Sequence, residues 1–332
     1  MLDIALFGSG RIGRVHADTI ASGPRTRLSW VCDPLPGAAA ELAGRYGAKA
    51  AESAGEVLAD RSVTAVVIAS PTPTHLELIA AAADAGKAVL CEKPIDLDLE
   101  RVDACWKRIA DSGPRVMIGF NRRFDPAFAE IRARIAAGEI GRLEHLVITS
   151  RDPEPPPPAY ARGAGGIFRD MTIHDLDMAR FLLGDIAEVH AMAAPAGAGG
   201  ATGPEDGEAD HAVVTLRSAD GRLCQIANSR SCAFGYDQRV EAFGTGGMLQ
   251  AANRTPTTVR AYTAAGVETA SPYLRFFLER YREAYRRELE YFAGAVESGA
   301  PLSPGYADGR AALVLAEAAC ESVRTGRTVA VG

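Results

Sequence analysis

Residues 1–13 read MLDIALFGSGRIG, an apolar run from Leu2 to Phe7 that passes directly into glycines at 8, 10 and 13. The run predicts a buried strand, and GxGxxG after a strand and at the head of a helix predicts a dinucleotide-binding turn. Gly8 would permit the tight turn, Gly10 would let backbone approach a pyrophosphate, and Gly13 would let helix and strand pack closely. The N–H groups at the helix start, around Arg11 and Ile12, lack acceptors within the helix and would bind phosphate. A second strand predicted at 28–33 ends on Asp33. A carboxylate there accepts from a ribose 2′-hydroxyl and repels a 2′-phosphate, which favours NAD over NADP. Arg11 is the one residue nearby that could hold a 2′-phosphate instead.

Working outward, strands are predicted at 64–70, 88–92 and 116–120, with helices at 14–22, 36–46, 75–85 and 98–111. Continuous apolar runs such as AVVIA (65–69) suit strands buried on both faces. Strand–helix alternation at this spacing gives a Rossmann-like, doubly wound parallel α/β domain. In such sheets ligands bind beyond the carboxyl ends of the strands, so Ser70, Thr72, His75, Glu92 and Lys93 are candidates to face the cofactor.

After Phe120 the rhythm changes. A helix near 126–137, a strand at 143–150, a proline run at 152–158 and a Gly-rich turn at 163–166 lead to a helix at about 172–183. Strands at 188–193, 211–216, 224–229 and 238–243 then follow without helices between them, with a loop expected over 193–203. These predict an α+β domain with a large, open, mostly antiparallel sheet. Helices near 273–297 and 307–324 close the chain. The alternating charges of the first, including Arg280 and Glu288, suggest a solvated face. The expected division is a cofactor domain over 1–121 and a substrate and oligomerisation domain over 122–332.

Composition narrows the function. Among 332 residues there are 36 Lys+Arg and 42 Asp+Glu, a net charge of −6. A mildly acidic chain without a basic block argues against nucleic acid or an anionic membrane as partner. No apolar run approaches the roughly 20 residues of a spanning helix. Six cysteines without a CxxC pair suggest reduced thiols in the cytoplasm.

Two further clusters carry chemistry. Glu92-Lys93-Pro94 ends a predicted parallel strand, which would aim Lys93 into the cofactor crevice. Residues 165–177, GGIFRDMTIHDLD, place Asp170, His174 and Asp177 at i, i+4 and i+7, on one helical stripe, while Leu176, Ala179 and Leu183 form an apolar one. No convincing third ligand accompanies the histidine, so no metal is expected.

With GxGxxG, EKP and D-x-x-x-H in this order, the chain resembles the Gfo/Idh/MocA family of NAD(P)-dependent oxidoreductases. GFNRRFDP (119–126), TSRDPEPPP (149–157), GGIFRDMTIHDLDMARFLLG (165–184) and NSRSCAFGYDQRVEAFGTGG (228–247) are most similar to its inositol-oxidising members. The resemblance implies Lys93, Asp170 and His174 as the catalytic set, and Asn121, Arg122, Asp152, Asp177 and Tyr236 around a polyol. It further implies NAD-dependent oxidation of a ring hydroxyl of myo-inositol to the 2-ketone, and a homotetramer. Another inositol isomer or an aldose remains the alternative substrate. An imidazole, with an ordinary pKa of about 6.5, suits the general base. Asp170 would orient it, and Lys93 would stabilise the developing alkoxide.

Overall fold

The structure is a computed structural model that describes residues 1–157, 160, 163–194 and 209–331. The chain divides into two compact units, Met1–Phe124 with Ala284–Leu313, and Asp125–Glu283 with Val314–Gly332. The single expected cut at 121/122 thus differs from these units chiefly in the return of 284–313 to the first.

In the first unit, β1 (Leu2–Phe7), β2 (Thr26–Cys32), β3 (Lys49–Ala51), β4 (Ala65–Ile68), β5 (Ala88–Glu92) and β6 (Val116–Gly119) form one sheet in the order β3-β2-β1-β4-β5-β6. Every pairing in it is parallel. The order reverses between β1 and β4, which opens a crevice at their carboxyl ends. Helices α1 (Arg11–Ser22), α2 (Pro36–Tyr46), α3 (Ala54–Ala59), α4 (His75–Asp84) and α5 (Leu99–Ile109) make the crossovers. The core joins Leu6, Ile20, Leu28, Val31, Leu90 and Met117 to Leu289, Phe292 and Ala293 of a late helix. Those three, with Val296, recur at i, i+3, i+4 and i+7, which is why that helix packs on this sheet.

In the second unit β7 (Leu143–Arg151), β8 (Ile186–Ala194), β9 (His211–Ser218), β10 (Leu223–Ser229), β11 (Asp237–Gly244), β12 (Gly247–Ala251) and the short β15 (Val329–Ala330) form a sheet ordered β12-β11-β7-β10-β9-β8-β15. Only β7 and β10 run parallel. A separate ribbon pairs β13 (Arg260–Thr263) with β14 (Gly266–Ala270). Helix α6 (Pro126–Ala136) touches β12, and α7 (Ile173–Leu183) touches β7. Of the loop expected at 193–203, Ala193 and Ala194 end β8 and the rest lies outside the described residues.

The single helix expected at 273–297 is two, α8 (Phe277–Arg280) and α9 (Arg282–Ser298), broken at Tyr281. Its solvated face is also corrected at two positions. Arg280 is 1% exposed, ion-paired with the equally buried Asp125, and Tyr281 donates its hydroxyl to Gln238 at 3.1 Å. Glu288 is completely buried in the first unit, and neither carboxyl oxygen has a hydrogen-bond partner among the described residues. Burial first, and the charge of Glu92 second, push its carboxyl well above the ordinary range. The final helix, α10 (Tyr306–Thr325), falls where expected.

An acid whose pKa is raised by folding supports the fold below its unfolded pKa and loses that contribution as pH rises toward the folded value. Glu288→Gln cannot ionise, so its melting temperature minus that of the wild type should grow between about pH 5 and about pH 8. Calorimetry at both pH values checks this; a pH-independent difference would show that Glu288 is not the neutral buried acid.

Candidate active site

At the carboxyl edge of the parallel sheet, the β1–α1 turn is fixed by sterics. Gly8 has φ +98°, and a Cβ there would lie 2.6 Å from the Ala69 carbonyl oxygen. A Cβ at Gly13 would lie 2.1 Å from the Gly8 oxygen, so helix and strand approach as closely as backbone allows. At Gly10, the residue before α1, a Cβ would meet nothing within 4 Å beyond its own stretch of chain. The three glycines thus divide as expected: two are closed by the chain and the middle one faces open space. Arg11 and Ile12 begin α1 beside it, Arg11 exposed. This cradle fits a dinucleotide pyrophosphate.

Asp33 follows β2. Its Oδ2 accepts from the Ser9 N–H at 2.8 Å and the Ser9 hydroxyl at 2.7 Å, while Oδ1 accepts from the Leu35 N–H at 2.9 Å. Partial burial pushes its carboxyl up, but these bonds outweigh that and hold it below the ordinary range. Three donors on about four lone-pair positions leave room for one more, as a ribose hydroxyl would supply. Ionised Asp33 beside the cradle disfavours an added 2′-phosphate.

The turns after β4 and β5 share this edge. Ser70 Oγ bonds Thr74 Oγ1 at 2.7 Å, and Thr72 starts a single 3₁₀ turn ahead of α4. The His75 ring, 1% exposed, spans from the Ser70 carbonyl (2.9 Å) to the Pro94 carbonyl (2.8 Å). It thereby ties the β4 turn to the Glu92-Lys93-Pro94 turn, and burial, the largest influence, lowers its pKa. Glu92 bonds His16 at 2.8 Å and reaches its successor's backbone at Lys93 N, 3.3 Å away. Lys93 itself is half-buried. Asn121 and Arg122 lie buried in the 3₁₀ turn after β6.

In the second unit a polar edge forms where β7 and β10 end and β11 begins. Register pairs Ser229 with Arg151 and Asp237 with Arg151, so Asp152, Arg230 and Tyr236 come together there. The Asp152 N–H donates to the Ser229 carbonyl at 2.8 Å. Tyr236 is buried, its ring edge-on to Phe276 and Tyr281.

The segment bearing Asp170 and His174 is pinned to that edge. It runs through a π-helical turn, Phe168–Thr172, into α7. Such turns carry a residue out of α-helical step and recur at functional sites. Thr172 Oγ1 donates to Asn228 at 2.7 Å; Asn228 Nδ2 and Ser150 Oγ donate to Asp175 at 2.7 and 2.6 Å. Asp175 is completely buried, so both oxygens need these donors. The lock orients the helix on which His174, half-buried, and Asp177, 1% exposed, stand. Asp170 accepts from the Tyr160 hydroxyl at Oδ1 (2.9 Å) and from Arg230 at Oδ2 (3.0 Å). Leu176, Ala179 and Leu183 are buried, as the apolar stripe required.

Sequence reasoning missed His16, Asp175, Asn228, Arg230 and Tyr160. Asp175 alone left a signal, an acid at i−4 from Ala179 and i−1 from Leu176 within the apolar stripe. The others lie 10 to 76 residues from the groups they bond, beyond the reach of helical spacing.

Comparison with known proteins gives the family. Residues 2–120 match the model described as an oxidoreductase family with an NAD-binding Rossmann fold, and residues 128–250 match the GFO/IDH/MocA C-terminal domain. The chain is 47% identical over 326 residues to an inositol 2-dehydrogenase of Rhizobium meliloti, covering 98% of each. A crystal structure of a myo-inositol dehydrogenase from Corynebacterium glutamicum superposes with TM-score 0.96 at 52% identity, covering 100% of this chain and 99% of the other. The scyllo-inositol dehydrogenase of Lactobacillus casei, solved with NAD(H) and scyllo-inositol, gives TM-score 0.90 at 27% identity and 99% coverage of both. The chain therefore belongs to the GFO/IDH/MocA family of oxidoreductases and carries that family's NAD-binding Rossmann domain.

Proposed function

We propose that this protein is an NAD-dependent inositol 2-dehydrogenase that oxidises myo-inositol to its 2-ketone. The observation carrying this is similarity along essentially the whole chain to inositol dehydrogenases, at 52% and 47% identity. The polar edge around α7 agrees with it, since a ring bearing many hydroxyls calls for carboxylates and a cation rather than an apolar pocket.

The residues divide the work. Gly8, Gly10, Gly13 and the α1 start hold the pyrophosphate, and Asp33 accepts from a ribose hydroxyl. Ser70, Thr72, His75 and Glu92 shape the turns that present Lys93. Bound NAD supplies the two-electron acceptor. Lys93 bonds the reacting oxygen and stabilises its developing charge; such a donor is worth about 3–4 kcal/mol of barrier. His174 takes the hydroxyl proton, and Asp170 orients the imidazole and favours its cationic form. Asn121, Arg122, Asp152, Asp177 and Tyr236 contact the remaining hydroxyls.

We further assign the chain to a homotetramer. Strands β8–β12 alternate buried residues with exposed Met192, Val213, Leu223, Phe243 and Met248, the last three 43%, 48% and 50% exposed. That apolar row on one sheet face suits burial against another copy. Free thiols at all six cysteines support a cytoplasmic setting and a role in polyol breakdown fits the reaction. Among the described residues, no helix is long and apolar enough to cross a membrane.

Mixing the protein with NAD and myo-inositol should raise absorbance at the NADH band, with D-glucose as control. His174→Ala should cut kcat by about 100-fold or more while NAD still binds. Near-normal kcat would remove His174 as the base, and turnover of glucose alone would move the assignment to an aldose. Asp33→Ser should weaken NAD and admit NADP; an unaltered ratio of the two kcat/KM values would refute the ribose assignment.

A further inference from the structure

Asp170 is held by a cation that the proposed chemistry does not itself require. Arg230 follows β10, its N–H anchored on the Asp210 carbonyl at 2.7 Å, and its side chain is 7% exposed. The guanidinium makes one bond to Asp170 Oδ2, at 3.0 Å, rather than a two-pronged pair. Its Nε, also buried, has no acceptor among the described residues. A buried guanidinium satisfied this sparingly costs desolvation that an apolar residue of the same length would avoid. Packing and stability therefore give no reason for a charge at this place.

Chemistry does. Asp170 precedes His174 by four residues, across the π-helical turn that leads into α7, and a carboxylate near an imidazole makes it more basic. A base that is too strong is already protonated at working pH and cannot take a proton from the alcohol. Most of the other charged groups of this unit have partners of their own. Arg169 pairs with Glu317 at 2.8 Å, Asp175 is held by Ser150 and Asn228, and Arg151 on β7 pairs with Asp237 at 2.7 Å. Arg132 of α6 stacks over Phe181. Asp177, on α7 itself, is a second buried acid. Arg230 is bonded to Asp170 directly.

We propose that Arg230 is a positioning residue acting through Asp170: it fixes the carboxylate and offsets part of its charge, so limiting how strongly Asp170 favours protonated His174. Tyr160, donating to the other oxygen, acts in the same sense and more weakly. The proposal rests on the roles of Asp170 and His174 proposed above.

The test is an NMR titration of the imidazole C–H resonances in protein free of cofactor and substrate. The chain has six histidines, and the His174 signal is the one lost in His174→Gln. Arg230→Gln should raise the His174 titration midpoint by about half to one pH unit, a fraction of what a directly contacting charge achieves. Arg230→Met, which drops the charge and keeps apolar packing, should do the same. Arg230→Lys should restore the midpoint most of the way. Tyr160→Phe, at a residue 48% exposed, should shift it the same way by less. An unmoved midpoint in the neutral variants, or an equal shift in Arg230→Lys, would leave Arg230 a structural clamp and overturn the proposal. Should neither neutral variant fold, an unmoved midpoint in Tyr160→Phe would overturn it. Because this readout needs no turnover, it stands apart from the kcat of His174→Ala, whose persistence would instead sink the assignment of the base.

Discussion

The carbonyl oxygen of Gly8 lies where a side chain at position 13 would have to be, 2.1 Å from its Cβ. The cofactor unit depends on this approach. It lets α1 begin immediately after β1, so that the N–H groups at its start, which have no acceptor within the helix, face the crevice where the sheet order reverses. Gly8 makes the same demand from the other side, against Ala69 after β4, so the two central strands must end level. The β2 and β5 turns then fall on the same edge by register alone, bringing Asp33 and Lys93 to it.

The second unit has a polar constraint instead of a steric one. Asp175 is buried with donors from Ser150 on β7 and Asn228 on β10. Those two strands are the parallel pair in an otherwise antiparallel sheet, so their carboxyl ends lie side by side and can both reach one carboxylate. Losing either donor would leave a buried acid short of a bond, typically a 1–3 kcal/mol penalty. The helix is thus held in one rotational setting, and with it the side chains on either side of Asp175. A buried ion pair recurs at Arg280–Asp125, and Glu288 is a buried acid with no hydrogen-bond partner among the described residues, where the fold gives up stability at neutral pH.

Much of this was legible. The strand at Ala88–Glu92 and the helix at Pro36–Tyr46 have the bounds that apolar runs and caps predict. His174 and Asp177 fall on one α-helix as their spacing predicts, but Asp170 stands in the π-helical turn before it, which no spacing rule foresees and which takes it out of α-helical step with them. What stayed hidden is short or long-range. Lys49–Ala51 is a three-residue edge strand, too brief for alternation to register. The ribbon of β13 and β14 is exposed at nearly every position, so it has no two-faced pattern to read. Glu288 and Arg280 sit in a run of alternating charge that, by pattern, is surface; only their tertiary partners or lack of them turn it inward. The clamp on Asp170 joins residues 60 apart, and no spacing rule connects them.

The proposed reaction removes the hydrogen on ring carbon 2 of myo-inositol and passes the hydroxyl proton to the protein. Turnover of myo-inositol deuterated at that carbon tests it directly, with the reduced cofactor isolated and weighed by mass spectrometry. Each reduced cofactor should carry one deuterium, and kcat/KM should fall. Reduced cofactor without deuterium would place the oxidation at another ring carbon, and inositol recovered unchanged with no cofactor reduced would contradict the account outright.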